Sequence, residues 1–294
     1  MHSRGTLDTM RSDATHRISE SARLLSGELH PRTSSRLERD RVDGMPPHSV
    51  EVGHSSRDPA NRGVATPATH YRLTAMSCSR GALVPRPNPT YAVHFTHVSH
   101  LESIVAQGLL ADSHAQGAGL KVEVGNTGIK DQRRRREVPV APRGVVADYV
   151  PFYFAPRSPM MFAIECGNVP TYTAGCDELV YLVSTVDLLC ALGQPVTFTD
   201  RNAALNVARY STAPEDLDDL VDWPLMKAAY WRNTSDDPER RERRMAECLV
   251  HRRVPWAAFT GVVARKQTCA AVAHATLDSL GASIPVSVRP NWYF

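Results

Sequence analysis

Tyr71 is the only aromatic residue among the first 75 positions of this 294-residue chain. Those positions are rich in Arg, Ser, His, Asp and Pro, and none of them sustains a helical or strand period. Such a segment cannot bury enough apolar surface to offset the entropy of ordering it. A packed core must therefore come from the remaining residues. Two readings of residues 1–75 stand side by side: a disordered extension, or residues upstream of a start at Met76. Residues 76–90 read as a short polar lead, and 91–294 as one domain.

From Tyr91 the pattern changes. Tyr91–Thr96 (YAVHFT) predicts a strand. Ser99 and Glu102 match a capping box ahead of an amphipathic helix, LESIVAQGLL. A Gly-rich loop runs through Gly128 and ends in the basic stretch IKDQRRRR. The string PFYFAPRSPMMFAIECG predicts a strand, a Pro-interrupted turn and a further apolar element. Strands are expected at Glu178–Ser184, in PVTFT, at Phe259–Ala264 and at Ile284–Val288. Helices are expected in VDLLCALG, closed by Gly193, over RNAALNVARYS with Asp200 as N-cap, across Asp218–Trp231, in ERRERR behind Asp237-Pro238, and over Thr268–Leu280. In AECLVH, Ala246, Cys248 and Val250 alternate with Glu247, Leu249 and His251. Strands mixed irregularly with helices, without a steady βαβ rhythm, predict an α+β fold.

Several function classes are disfavoured. There is no G-x-G-x-x-G and no Walker loop, which argues against a Rossmann or P-loop nucleotide site. No apolar run of about 18 residues predicts a membrane span. The N-terminus shows no apolar secretory core, so the cytoplasm is the expected location. The six cysteines lack the short paired spacing of a zinc site, and reduced thiols with no metal are expected. A net charge of +3 is compatible with a nucleic-acid partner without requiring one.

Three places could carry chemistry. His94, Phe95, Thr96 and His97 end the first strand, where an imidazole can bond a ribose hydroxyl, or simply satisfy the backbone. Arg133–Arg136 could hold a diphosphate or nucleic-acid phosphates, or form a solvated basic surface. Glu247 stands between apolar neighbours at a strand start. It could act as a base or stabilise an oxocarbenium ion, or pair with Arg243 or Arg244.

Taken in order, HFTH, a helix ending in GLL, IKDQRRRR, DYVPFYFAPRSPM, VTFTDRNA, AECLV and the terminal RPNWYF resemble the DarT family over Tyr91 to Phe294. The resemblance implies an ADP-ribosyltransferase fold with a split, mostly antiparallel sheet. It implies a toxin that consumes NAD and modifies thymidine N3 in single-stranded DNA, and a DarG-type macrodomain antitoxin as partner. It further implies Glu247 and Arg133 as catalytic residues, with a register uncertain by one position at Arg133. It assigns His94, Phe95, Thr96, Ser103, Leu110 and Arg133 to NAD. The loop from Thr199 to Glu247 would read the DNA, with Arg201, Asn202 and Tyr210 as contacts; Trp231 is a stacking residue or ordinary core. Other readings remain: transfer to RNA or protein, or a catalytically dead nucleic-acid-binding module, which would tolerate Glu247→Gln.

Overall fold

The computed structural model describes residues 85–115 and 121–294. The expectations for residues 1–75 and for the start at Met76 lie outside this range. No helix among the described residues is long and apolar enough to cross a membrane.

The sheet is built around short, largely apolar runs. In β4 (Leu179–Thr185), six successive residues are buried, as suits a strand covered on both faces. It pairs antiparallel with β1 (Tyr91–His97) at all seven positions of β1. With β3 (Tyr149–Tyr153), β5 (Val196–Thr199), β6 (Tyr210–Ser211), β7 (Glu247–His251), β9 (Gly261–Ala264) and β10 (Val286–Val288) they form one eight-stranded sheet, ordered β10-β9-β4-β1-β3-β7-β5-β6. Only the β9–β10 pair is parallel. The fold is α+β, as expected.

The sheet is nearly severed in the middle. β1 and β3 share a single register pair, Val93 with Tyr153. Pro151, inside β3, has no N–H to give a neighbour. Its carbonyl accepts instead from the imidazole of His94, with Nδ1 at 2.7 Å. A side chain thus bridges strands that the ladder does not hold.

Around this sheet, α1 (Leu101–Gln107) buries Leu101 and Ile104. It ends at Gly108, where φ is +83° and a Cβ would meet the Val254 carbonyl at 2.7 Å; only glycine fits such a turn. The expected tail of that helix, Leu109–Leu110, is instead strand β2, paired with β8 (Arg253–Val254). The capping box is absent too. Ser99 lies in a preceding turn, His100 takes the N-cap position without a side-chain cap, and Glu102 pairs with Lys121. Next come α2 (Asp112–Ala115) and α3 (Thr127–Arg135); the Asn126 side chain caps α3 by accepting from the Ile129 N–H. Then α4 (Pro159–Glu165) starts with Ser158 as cap and Pro at the first turn. α5 (Val186–Cys190) is shorter than expected, with Gly193 beyond its end. α9 (Gln267–Ser279) matches the expected terminal helix within a residue at each end.

Three expectations fail between β5 and β7. RNAALNVARYS forms turns and β6, and Asp200 caps no helix: its buried carboxylate accepts from the Arg209 N–H and pairs with Arg201 and Arg209. Asp218–Trp231 is not one helix. It holds α6 (Leu217–Leu220) and α7 (Trp223–Lys227), separated where Asp222 caps Trp223-Pro224. The ERRERR helix shrinks to α8 (Arg240–Arg243), with Glu239, not Asp237, before it. Asp237 pairs with Arg243 instead.

Candidate active site

The gap in the sheet opens into a cavity of about 370 Å³. Its walls come from β1, α1, β2, residues 122–125, α3, β3, α4 and the start of β7. His94, Phe95, Thr96, Ser103, Leu110, Arg133, Asn202 and Glu247 all line it.

Glu247 sits on this wall because of the alternation in β7. Ala246, Cys248 and Val250 enter the main core, leaving Glu247 on the other face. It is 1% exposed. Arg133 Nη1 donates to both carboxylate oxygens, at 2.9 and 3.2 Å. The Ala203 N–H donates to Oε2 at 3.3 Å. Burial raises the pKa of this carboxyl above its ordinary value, and Arg133 opposes the rise. Arg243 and Arg244 do not contact it: Arg243 pairs with Asp222 and Asp237, and Arg244 donates to backbone carbonyls, including Leu225 and Pro156.

The four consecutive arginines part company on α3. Arg133 faces the cavity, and its Nη2 is buried with no hydrogen-bond partner among the described residues. Arg134 pairs with Asp112 and Asp131. Arg136 donates to the side chain and carbonyl of Asn206. Arg135 is exposed and bonds only its own helix. Three residues before Arg133, Lys130 is gripped by Asp112 on α2 and Glu123 in the segment entering α3.

On the facing wall, His94 gives its Nδ1 proton to the Pro151 carbonyl, which leaves Nε2 as an acceptor. Burial holds its pKa down at about 4, so the ring is neutral at physiological pH. Phe95 and Tyr153 lie nearly parallel, 13° apart, with centroids separated by 6.4 Å. Tyr153 is also the register partner of Glu247. The Ser103 hydroxyl lines the cavity while donating to the His100 carbonyl at 2.9 Å.

The residues expected to read DNA divide. Asn202 reaches the cavity. Arg201 stands behind it, paired with Asp200 and Glu239. Tyr210 packs in a small core with Ala203 and donates its hydroxyl to the Ala203 carbonyl at 2.6 Å. Trp231 packs edge-on against Phe162 and Phe294, away from the cavity walls.

Sequence reasoning passed over Tyr153, Lys130, Glu123, His100 and Arg241, all of them in the cavity wall. Tyr153 was within reach: alternation in PFYF sets it opposite Phe152. Lys130 lies inside the basic stretch IKDQRRRR. Nothing local marks Glu123 or His100.

A split sheet closing on a buried Arg–Glu pair, with a neutral histidine opposite, is the arrangement of an ADP-ribosyltransferase. Comparison with known proteins narrows the class. Residues 93–294 match the family model described as "ssDNA thymidine ADP-ribosyltransferase, DarT". A DNA ADP-ribosyl transferase of Thermus sp. (strain 2.9) is 37% identical over 212 residues, covering 71% of this chain and 98% of that protein. One from Escherichia coli O127:H6 is 31% identical over 209 residues, covering 70% and 95%. The structure of Thermus sp. 2.9 DarT in complex with ADP-ribosylated ssDNA aligns with a TM-score of 0.67 at 35% identity, over 72% of this chain and 99% of that one. The same protein in complex with NAD+ aligns at 0.64 over 71% and 100%. This chain belongs to the DarT family.

Proposed function

We propose that the protein transfers the ADP-ribosyl group of NAD to N3 of thymidine in single-stranded DNA and releases nicotinamide. The observation that carries this reading is the Arg133–Glu247 pair, buried in the wall of a cavity with one guanidinium nitrogen unpartnered. Family membership and relatives solved with NAD+ and with ADP-ribosylated ssDNA support the choice of both substrates.

In this reading His94, Phe95, Thr96, Ser103, Leu110 and Arg133 hold NAD. The His94 Nε2 lone pair accepts from a ribose hydroxyl. The Phe95 and Tyr153 rings form an aromatic wall suited to a planar ring. When the bond between nicotinamide and ribose breaks, its electron pair goes to the pyridine nitrogen, and positive charge grows on the ribose. The Glu247 carboxylate stabilises that charge.

Thymine N3 then forms the new bond to the ribose carbon and gives up its proton. A carboxylate whose pKa burial has raised is a stronger base than a free one. Glu247 is therefore the proton acceptor of the scheme. The free Nη2 of Arg133 polarises a thymine carbonyl and steadies the anion forming on the base. N3 is hidden in a base pair, so an unpaired base meets no unpairing cost. On the loop that reads the DNA, Asn202 reaches the cavity, Arg201 is paired with Asp200 and Glu239, and Tyr210 bonds the Ala203 carbonyl.

The same reading makes the protein a cytoplasmic toxin, countered by a DarG-type macrodomain antitoxin that removes the mark. NAD is consumed and no metal takes part.

The test is an oligonucleotide with one thymidine, incubated with labelled NAD. Label should appear on the single strand and fall sharply on annealing. It should vanish when N3-methylthymidine replaces thymidine. Undiminished labelling of the methylated strand would exclude attack by N3. Parallel incubation with RNA and with protein distinguishes the rival acceptors.

A further inference from the structure

His100 is buried beside the cavity and belongs to none of the catalytic assignments above. Both ring nitrogens are engaged. Nε2 lies 3.1 Å from the backbone nitrogen of Val122, and Nδ1 lies 2.8 Å from Thr96 Oγ1. A backbone N–H can only donate, so Nε2 must present its lone pair. The ring proton is therefore on Nδ1 and is given to the Thr96 hydroxyl oxygen. Burial, with His97 beside it, lowers the His100 pKa and keeps the ring neutral.

The consequence falls on Thr96. Its oxygen already accepts from His100, so its own proton must be donated elsewhere. Thr96 lines the cavity and makes no other side-chain hydrogen bond among the described residues. The hydroxyl is thus left free to donate to an acceptor in the cavity. The Val122 bond has a second effect: it fixes the start of the wall formed by residues 122–125, whose Glu123 grips Lys130 on α3.

We infer that His100 is a positioning residue for NAD. It fixes the Thr96 hydroxyl as a donor to an oxygen acceptor of the dinucleotide and pins the adjoining wall. This rests on the reading of the cavity as the NAD site. A histidine is suited to the task because one ring offers a donor and an acceptor on rigid, divergent vectors.

Two measurements test it. The first is the 15N spectrum of the imidazoles in the full-length wild type. His100 should be the neutral tautomer with its proton on Nδ1. A proton on Nε2 overturns the inference, and this readout needs no variant to fold. The second is NAD binding by calorimetry. Thr96→Val should weaken affinity about tenfold, the loss expected of one buried hydrogen bond. His100→Gln keeps an acceptor near Nε2 but no donor near Nδ1. It should weaken binding by itself yet add little in the Thr96→Val background, because both changes remove one interaction. His100→Asn, which can donate from near the Nδ1 position, should recover part of the loss. Independent, multiplying effects of His100→Gln and Thr96→Val would overturn the role of His100. A wild type that does not bind NAD would instead overturn the reading of the cavity.

Discussion

Arg133 and Glu247 are 114 positions apart in the chain and in direct contact, one on α3 and the other opening β7. Removing one member of a buried pair leaves the other charge uncompensated, at a cost of about 3–5 kcal/mol. Tests of this pair must therefore separate chemistry from folding.

Glu247→Gln keeps the shape of the side chain and removes its charge. Transfer to DNA should fall by about 10²–10³ or more, the loss typical of one preorganised electrostatic contact. The variant should still melt cooperatively, since an amide oxygen can go on accepting from Arg133 and Ala203. Near-normal turnover by a folded variant would remove Glu247 from the mechanism.

Arg133 and Arg135 should fail in different ways. Arg133→Lys keeps a positive charge but cannot reach Glu247 and a base carbonyl together. Its kcat should drop while KM for DNA changes little. Arg135 is exposed and faces no carboxylate among the described residues. Arg135→Ala should leave kcat alone and raise KM for DNA, with a smaller salt dependence than the wild type. If both variants raise KM for DNA and leave kcat unchanged, the run is a phosphate tether throughout and Arg133 is not catalytic.

Acid should destabilise the protein through His94. Its folded pKa of about 4 lies below the free value of 6.5, because burial disfavours the charged ring. Between those values the unfolded chain binds a proton that the folded one does not. The contribution is therefore whole above pH 6.5 and is lost as pH falls toward 4, amounting to roughly 3 kcal/mol. His100 and His251 are lowered as well and act in the same direction. Urea unfolding from pH 7 to pH 4.5 should show the stability gap between wild type and His94→Gln narrowing. A gap independent of pH would show that His94 titrates normally.

A chain beginning at Met76 should transfer ADP-ribose as fast as the full chain. The family match starts at residue 93, and the upstream residues carry no core-forming pattern. A large drop in turnover or solubility on shortening would give residues 1–75 a part in the enzyme.

Much of the fold was legible in one dimension. Short apolar runs exposed β1 and β4, alternation exposed β7, and the apolar neighbours of Glu247 marked its carboxylate as misplaced for solvent. The basic run was visible too, yet it gave no reason to prefer Arg133. That choice is made by the phase of α3, which turns Arg134 toward Asp112 and Arg136 toward Asn206. The phase was lost because Gly128 and the neighbouring glycines suggested loop. Between Thr199 and Glu247 the sequence misled. Asp200 has the character of a cap, but its carboxylate is used by Arg201 and Arg209, and those pairs outweigh local helix propensity. His100 escaped for a different reason: its two partners, Thr96 and Val122, belong to separate segments.

The bond from Ala203 to Glu247 is made by a main-chain amide. An amide of that kind survives almost any change of side chain, proline excepted. Residues along the same loop can therefore be exchanged while the carboxylate keeps its neighbour. On the proposed reading of this loop as the DNA contact, such a design lets descendants drift in which nucleotides they favour without rebuilding the reaction centre. In that reading, recognition and chemistry share one stretch of backbone but are inherited on separate terms.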